Sequence, residues 1–160
     1  MKALLIYFTM GGRTKKAAKA IASALTEYEI TYVPIEILGR FFKKMEAIDK
    51  QEKGDFSDIE EELIALDTAA EHDLIIIGMP TYGGKPPKVF DEIMNRLPNL
   101  SGKRVALFTT GRFTANKALE NMKEQVEAAD AEIIDQQAFN AFFRLGTKEP
   151  KKFGEELNQA

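Results

Sequence analysis

Three short segments carry most of the side chains able to hold a small molecule. They read Thr9-Met10-Gly11-Gly12-Arg13-Thr14, Pro80-Thr81-Tyr82-Gly83-Gly84-Lys85-Pro86-Pro87 and Thr109-Thr110-Gly111-Arg112-Phe113-Thr114. In the first, small residues let the backbone curl so that several N–H groups point inward. The hydroxyls of Thr9 and Thr14 add donors, and a helix starting there adds partial positive charge. A phosphate is the natural guest. The segment has neither the Gly-x-x-x-x-Gly-Lys-Ser/Thr spacing of a P-loop nor the Gly-x-Gly-x-x-Gly of a dinucleotide fold. The other two segments each supply an aromatic ring, Tyr82 and Phe113. Their glycines permit close approach of a flat molecule. A phosphate cradle at one end and an aromatic slot at the other suit a mononucleotide with a planar ring. Taken singly, each segment also reads as a plain strand–helix turn.

Composition narrows what these segments are for. Among 160 residues there is no Cys and one His, His72. Disulfides, thiol nucleophiles, thiolate zinc sites and cubane iron–sulfur clusters are excluded, and a Ser–His–Asp triad would depend on that single His. An enzyme built this way takes its hard chemistry from a bound group. With 22 Lys and Arg against 25 Asp and Glu the formal charge is −3, which argues against a nucleic-acid partner. No apolar run approaches the ~20 residues that span a bilayer. The apolar stretch over 3–8 is too short for a signal peptide. The expectation is a cytoplasmic protein with neither a membrane nor a nucleic acid among its partners.

The elements that must position the three segments follow from periodicity. Residues 3–8 form a continuous apolar run, as in a strand buried on both faces. Within 14–25, Ala17, Ala18, Ile21 and Leu25 recur at helical spacing. Residues 30–38 are β-rich, and Pro34 suits an edge strand. Ser57 or Asp58 can cap a helix running to Ala70. The pattern then gives strands over 74–77, 105–108 and 131–136, and helices over 87–97, 115–129 and 148–157. Such alternation predicts one α/β domain over 1–160, a three-layer, doubly wound, five-stranded parallel sheet. Ligands of such sheets bind beyond the carboxyl ends of the strands, where all three segments fall.

These segments resemble the flavodoxin family. Its phosphate signature, Ser/Thr-x-Thr-Gly-x-Thr, is matched by Thr9-Met10-Gly11-Gly12-Arg13-Thr14, with Ala18 at the family's small helix position. Its second signature, a buried strand and then Pro-Thr-aromatic-Gly, is matched by Ile75-Ile76-Ile77-Gly78-Met79-Pro80-Thr81-Tyr82-Gly83-Gly84. The resemblance spans essentially the whole chain and implies a flavodoxin-like fold, strand order 2-1-3-4-5, with a tightly held FMN. Thr9, Met10, Gly11, Gly12, Arg13 and Thr14 would bind its phosphate. After Pro80 and Thr81, Tyr82 would stack on one face of the isoalloxazine. Gly83 and Gly84 would lie near its N5 edge, one of them turning a carbonyl as the flavin is reduced. Thr110, Gly111, Arg112 and Phe113 would flank the other face or the pyrimidine end.

The implied function is a low-potential one-electron carrier between redox proteins, a reductase and an electron acceptor. The alternative on the same scaffold is an NAD(P)H-dependent quinone or flavin reductase. A phospho-acceptor receiver domain needs acidic residues where this chain has Thr9, Gly11, Pro80 and Thr81.

Two features depart from the family's pattern. Gly11 stands where a Thr is common, which removes one hydroxyl from the phosphate loop. Arg13, Lys85, Lys88 and Arg112 would line a rim that is usually acidic, so the reduced, anionic flavin should be favoured and its couple less negative. Such cations could also attract an NAD(P)H phosphate. His72 is expected at the opposite, amino end of the sheet, in a structural or surface role. Phe41, Phe42, Met45 and Ile48 form an apolar stripe read as core, with a lid or docking patch as the alternative. Asp135 is expected to cap or to be solvated.

Overall fold

The computed structural model describes every residue from Met1 to Ala160. Five strands form one sheet in the order β2-β1-β3-β4-β5, and every neighbouring pair is parallel. They are β1 (Lys2–Thr9), β2 (Glu29–Glu36), β3 (Leu74–Pro80), β4 (Arg104–Gly111) and β5 (Glu132–Asn140). The helices are α1 (Arg13–Ala24), α2 (Phe41–Glu52), α3 (Glu60–Ile64), α4 (Val89–Arg96), α5 (Ala115–Ala128) and α6 (Lys148–Leu157). The expected architecture and strand order are those observed. No helix is long and apolar enough to cross a membrane.

Strict alternation along the central strands makes two cores. Leu4, Ile6 and Phe8 of β1 face one way, onto Leu63, Phe90, Ile93 and Met122 from α3, α4 and α5. Ala3, Leu5 and Tyr7 face the other way, onto Ala17, Ala18 and Ile21 of α1 and Phe153 and Leu157 of α6. The chain leaves β1 for one layer and β3 for the other. These strands are neighbours, so a crevice opens between their carboxyl ends, the switch point of a doubly wound sheet. Two glycines permit close packing. A Cβ at Gly78 would collide with the Phe108 ring, and one at Gly154 in α6 would overlap the Ile21 carbonyl oxygen of α1.

Several boundaries differ from the periodic reading. The chain over 41–52 is a full helix, α2, where a stripe packed into the core was expected. Phe41, Phe42 and Met45 are 68%, 85% and 44% exposed, so the core reading fails for them. The first turn of α2 projects past the carboxyl end of β2, where no element can cover it. Ala47 and Ile48, further along, do pack on the core. The helix expected from Ser57 to Ala70 is broken into 3₁₀ turns at Ser57–Ile59 and Ala65–Glu71 around the short α3. Strand β5 continues through the polar run Asp135-Gln136-Gln137 to Asn140 because it is the sheet edge, where half-buried polar residues are tolerated. A bulge opposite Val105 and Ala106 shifts its register. Asp135, beside that bulge, is half-buried rather than solvated. Burial pushes its carboxyl above the ordinary range, against the Gln136 N–H that it accepts at 2.8 Å.

Candidate functional site

A cavity of about 410 Å³ opens at the carboxyl ends of β1, β3 and β4. All the residues expected there from the sequence line it except Gly12, Gly83 and Gly84; Thr114 is an additional wall. The size lies within the range of small-molecule sites.

One end of the cavity is built to receive an anion. Helix α1 begins after Gly12, whose φ of 87° is open to glycine at little strain. The Gly12 N–H donates to Thr9 Oγ1 at 3.0 Å, which draws the loop into a tight curl and leaves the Thr9 hydroxyl hydrogen free. No side chain caps α1 and no acidic residue occupies its first turn, so its leading N–H groups lack a partner within the chain. The second helix on the rim differs. The N–H of Ala115, which starts α5, is taken by Asn140 Oδ1 at 3.1 Å. The α1 end is therefore the one open to a phosphate.

Hydroxyls line the wall between the two ends. Thr14 Oγ1 and Thr110 Oγ1 are 2.8 Å apart and buried, which leaves one of the two hydroxyl hydrogens to donate elsewhere. Thr109 Oγ1 donates to the Ala115 carbonyl and fixes the start of α5. Thr81 Oγ1 is buried with no hydrogen-bond partner. A buried hydroxyl without a partner is costly, and this one is packed against Gly111, where an added Cβ would lie 3.2 Å from it.

Tyr82 and Lys85 exchange two backbone hydrogen bonds, of 2.8 and 3.1 Å, across Gly83 and Gly84. Both glycines have positive φ, 58° and 81°, the signature of the mirror-image hairpin turn. They sit at the hairpin tip, outside the lining of the cavity. Tyr82 itself is half-buried and forms a wall between this cavity and a second one bordered by Met45, Ile48, Glu52 and Lys85. Its hydroxyl is buried without a partner. Burial, reinforced by the nearby Glu52 carboxylate, pushes the phenol up to about 12. Tyr82 is therefore a neutral aromatic wall at physiological pH.

The basic rim is only partly free. Arg13 lines the cavity, but its guanidinium donates to the carbonyls of Gly111, Ala141 and Phe143 at 3.1, 2.6 and 3.2 Å. It ties three loops together. Lys88 points away from the cavity toward the Glu52 carbonyl, at 3.4 Å. Lys85 borders the second cavity. Arg112 lines the first cavity and lies over the Phe142 ring, 5.9 Å from its centroid. Phe113 lines the cavity and packs on Phe142 with centroids 5.3 Å apart. His72 is buried at the amino end of the sheet, Nδ1 2.8 Å from the Thr68 carbonyl, in the structural role expected.

Sequence reasoning missed three supports. Asn140 caps α5, Thr109 braces it, and Lys44 Nζ donates to the Met10 carbonyl at 2.8 Å. The Asn140 contact carries no local sequence signal, because Asn140 ends β5 and lies 25 residues from the Ala115 N–H that it accepts. The Lys44 clamp carries none either, because it depends on the unrecognised α2.

Residues 1–143 match the family model described as NADPH-dependent FMN reductase. No curated protein sequence matches the chain. Among solved structures, *Megasphaera elsdenii* flavodoxin superposes with a TM-score of 0.67 at 19% identity, covering 99% of each chain. A *Bacillus cereus* flavodoxin gives 0.66 at 20% identity, over 99% of this chain and 98% of that one. A *Lactobacillus acidophilus* flavoprotein, solved in complex with FMN, gives 0.53 at 22% identity over 86% and 92%. These likenesses establish the fold. With a match over most of its length, the chain belongs to the NADPH-dependent FMN reductase family, FMN-binding proteins of the flavodoxin-like fold.

Proposed function

We propose that the chain holds FMN in the cavity at the ends of β1, β3 and β4 and carries single electrons between redox proteins. The observation that carries the cofactor reading is the uncapped α1 terminus opening into a cavity whose other walls are Tyr82 and Phe113. Thr9, Met10, Gly11, Gly12, Arg13 and Thr14 would surround the phosphate. Pro80, Thr81, Tyr82, Thr110, Gly111, Arg112 and Phe113 would enclose the ring. When bound, FMN would supply the redox chemistry. The protein's part is to anchor the phosphate, exclude water with Tyr82 and Phe113, and place positive charge near the ring through Arg13 and Arg112. The exposed Phe113 and Phe142 beside the mouth favour the carrier reading, because they offer a partner an apolar approach to the ring edge.

The family match favours a second reading, direct oxidation of NAD(P)H. One experiment separates the two. The purified protein is expected to show oxidised flavin absorption that dithionite bleaches. A carrier keeps its colour with NADPH alone and loses it when a reductase is added. Bleaching by NADPH alone, with turnover on a quinone or free flavin, would establish the reductase instead.

A further inference from the structure

We propose that Lys44 is a positioning residue for the phosphate, because its hold on the Met10 carbonyl turns the Gly11 N–H into the anion cradle. Lys44 shares the inner face of α2 with Ala47, Ile48 and Gln51, three, four and seven residues on. Ala47 and Ile48 pack on the core, and Gln51 is buried. At the far end of the helix Glu52 Oε1 accepts the Lys88 N–H at 3.1 Å. The helix is thus seated with a lysine at a position where its inner face calls for an apolar side chain. The Lys44 Nζ donates to the Met10 carbonyl at 2.8 Å. Glu36 borders the same hollow behind the phosphate loop, but Lys15 already holds it at 2.8 Å. Lys44 forms no ion pair, and the Met10 carbonyl is its one hydrogen-bond partner.

The loop separates that hollow from the cavity, and Met10 and Gly11 border both. Lys44 borders only the hollow. The peptide joining Met10 to Gly11 is trans and planar, so its C=O and N–H point in opposite directions. With the carbonyl drawn toward Lys44, the N–H points away from α2, toward the cavity. The Gly12 N–H is spent on Thr9 Oγ1, whereas the Gly11 N–H has no partner within the chain. Of the two glycine amides in the loop, that of Gly11 is therefore the one left for an anion. Gly11 carries no side chain to bias its backbone, so without the lysine this peptide turns over at little cost. Turned over, it would present a carbonyl oxygen to the phosphate in place of a donor. Donation to the carbonyl also polarises the peptide and strengthens its N–H as a donor. This role rests on the reading of the α1 end as the phosphate site.

The test titrates the flavin-free full chain with FMN, with riboflavin, which has the same ring and no phosphate, and with inorganic phosphate. Lys44→Met should lower FMN affinity about tenfold, the worth of one hydrogen bond to a charged group, and leave riboflavin affinity unchanged. Lys44→Arg, which still reaches a carbonyl, should restore most of the FMN affinity. In amide NMR spectra the Gly11 proton should move downfield when inorganic phosphate saturates the parent protein. At saturation that shift should be absent from Lys44→Met. Equal loss of FMN and riboflavin would mean that Lys44 merely seats α2, and would overturn the proposal. Unchanged FMN affinity in Lys44→Met overturns it too. So does a Gly11 shift that survives in Lys44→Met at saturating phosphate, which would leave the lysine only as a distant charge. The two claims fail separately. A parent protein that binds phosphate through Gly11 but binds neither flavin removes the FMN reading and leaves the role of Lys44. FMN binding with an unmoved Gly11 amide does the reverse.

Discussion

Gly11 and Gly12 are neighbours with opposite requirements. Gly12 sits in left-handed backbone, whereas Gly11 does not, and a Cβ on Gly11 meets nothing within 4 Å. Gly11→Thr is therefore predicted to fold normally and to add a hydroxyl to the phosphate loop. FMN affinity, followed by quenching of flavin fluorescence, should rise about tenfold, the worth of one hydrogen bond to a charged group. Gly12→Ala should instead destabilise the loop by about 1 kcal/mol through backbone strain. Arg112 has a different task. It borders the cavity without an acidic partner, so its charge acts on whatever the cavity holds. Arg112→Ala should make the couple of the reduced, anionic flavin more negative by about 50 mV in a potentiometric titration. An unchanged potential would place Arg112 outside the field felt by the ring.

Two contacts between elements govern the scaffold. Helices α1 and α6 approach closely because Gly154 presents no side chain to the Ile21 carbonyl. Gly154→Ala would force backbone apart, since the obstacle is a carbonyl and not a flexible side chain. A loss of about 3 kcal/mol is expected in urea unfolding. At the carboxyl ends of β1 and β2, Glu36 accepts a hydrogen bond from Tyr7 at 3.0 Å and pairs with Lys15 of α1. Lys15 chiefly, then Tyr7, holds the Glu36 carboxyl below its ordinary range against some desolvation. The stability this contributes is full above the unfolded carboxylate pKa and is lost as pH falls through the folded value. The thermal midpoint of Glu36→Gln should therefore lie below that of the parent at pH 7. The gap should close between about pH 5 and pH 3.

At the scale of the whole molecule, what was legible in the sequence was what repeats. Apolar runs such as 74–77 announce buried strands in any context, and their alternation with helices leaves few topologies. The convergence of three loops followed from that topology, whereas the strand order came from the resemblance of the two loop signatures to the flavodoxins. What was not legible depends on edges. Phe41 and Phe42 look like core residues until the end of β2 places them beyond the last covering element. Asp135-Gln136-Gln137 reads as a strand terminus, because only edge position makes polar residues acceptable in the middle of β5. The same limit applies at the site. Thr9 and Thr14 were legible from loop composition, whereas the capture of Arg13 by Gly111, Ala141 and Phe143 joins residues about 100 or more positions apart.

That capture makes the anion cradle and the 141–143 segment a single thermodynamic system. Arg13 starts at the anion cradle and terminates on the backbone of the segment that bears Phe142 and Phe143. An occupant that orders Arg13 also orders 141–143, and anything that immobilises 141–143 must strengthen binding in the cavity by the same factor. Amide hydrogen exchange over 141–144 should slow on FMN addition, and Arg13→Lys, which cannot span three carbonyls, should abolish that slowing.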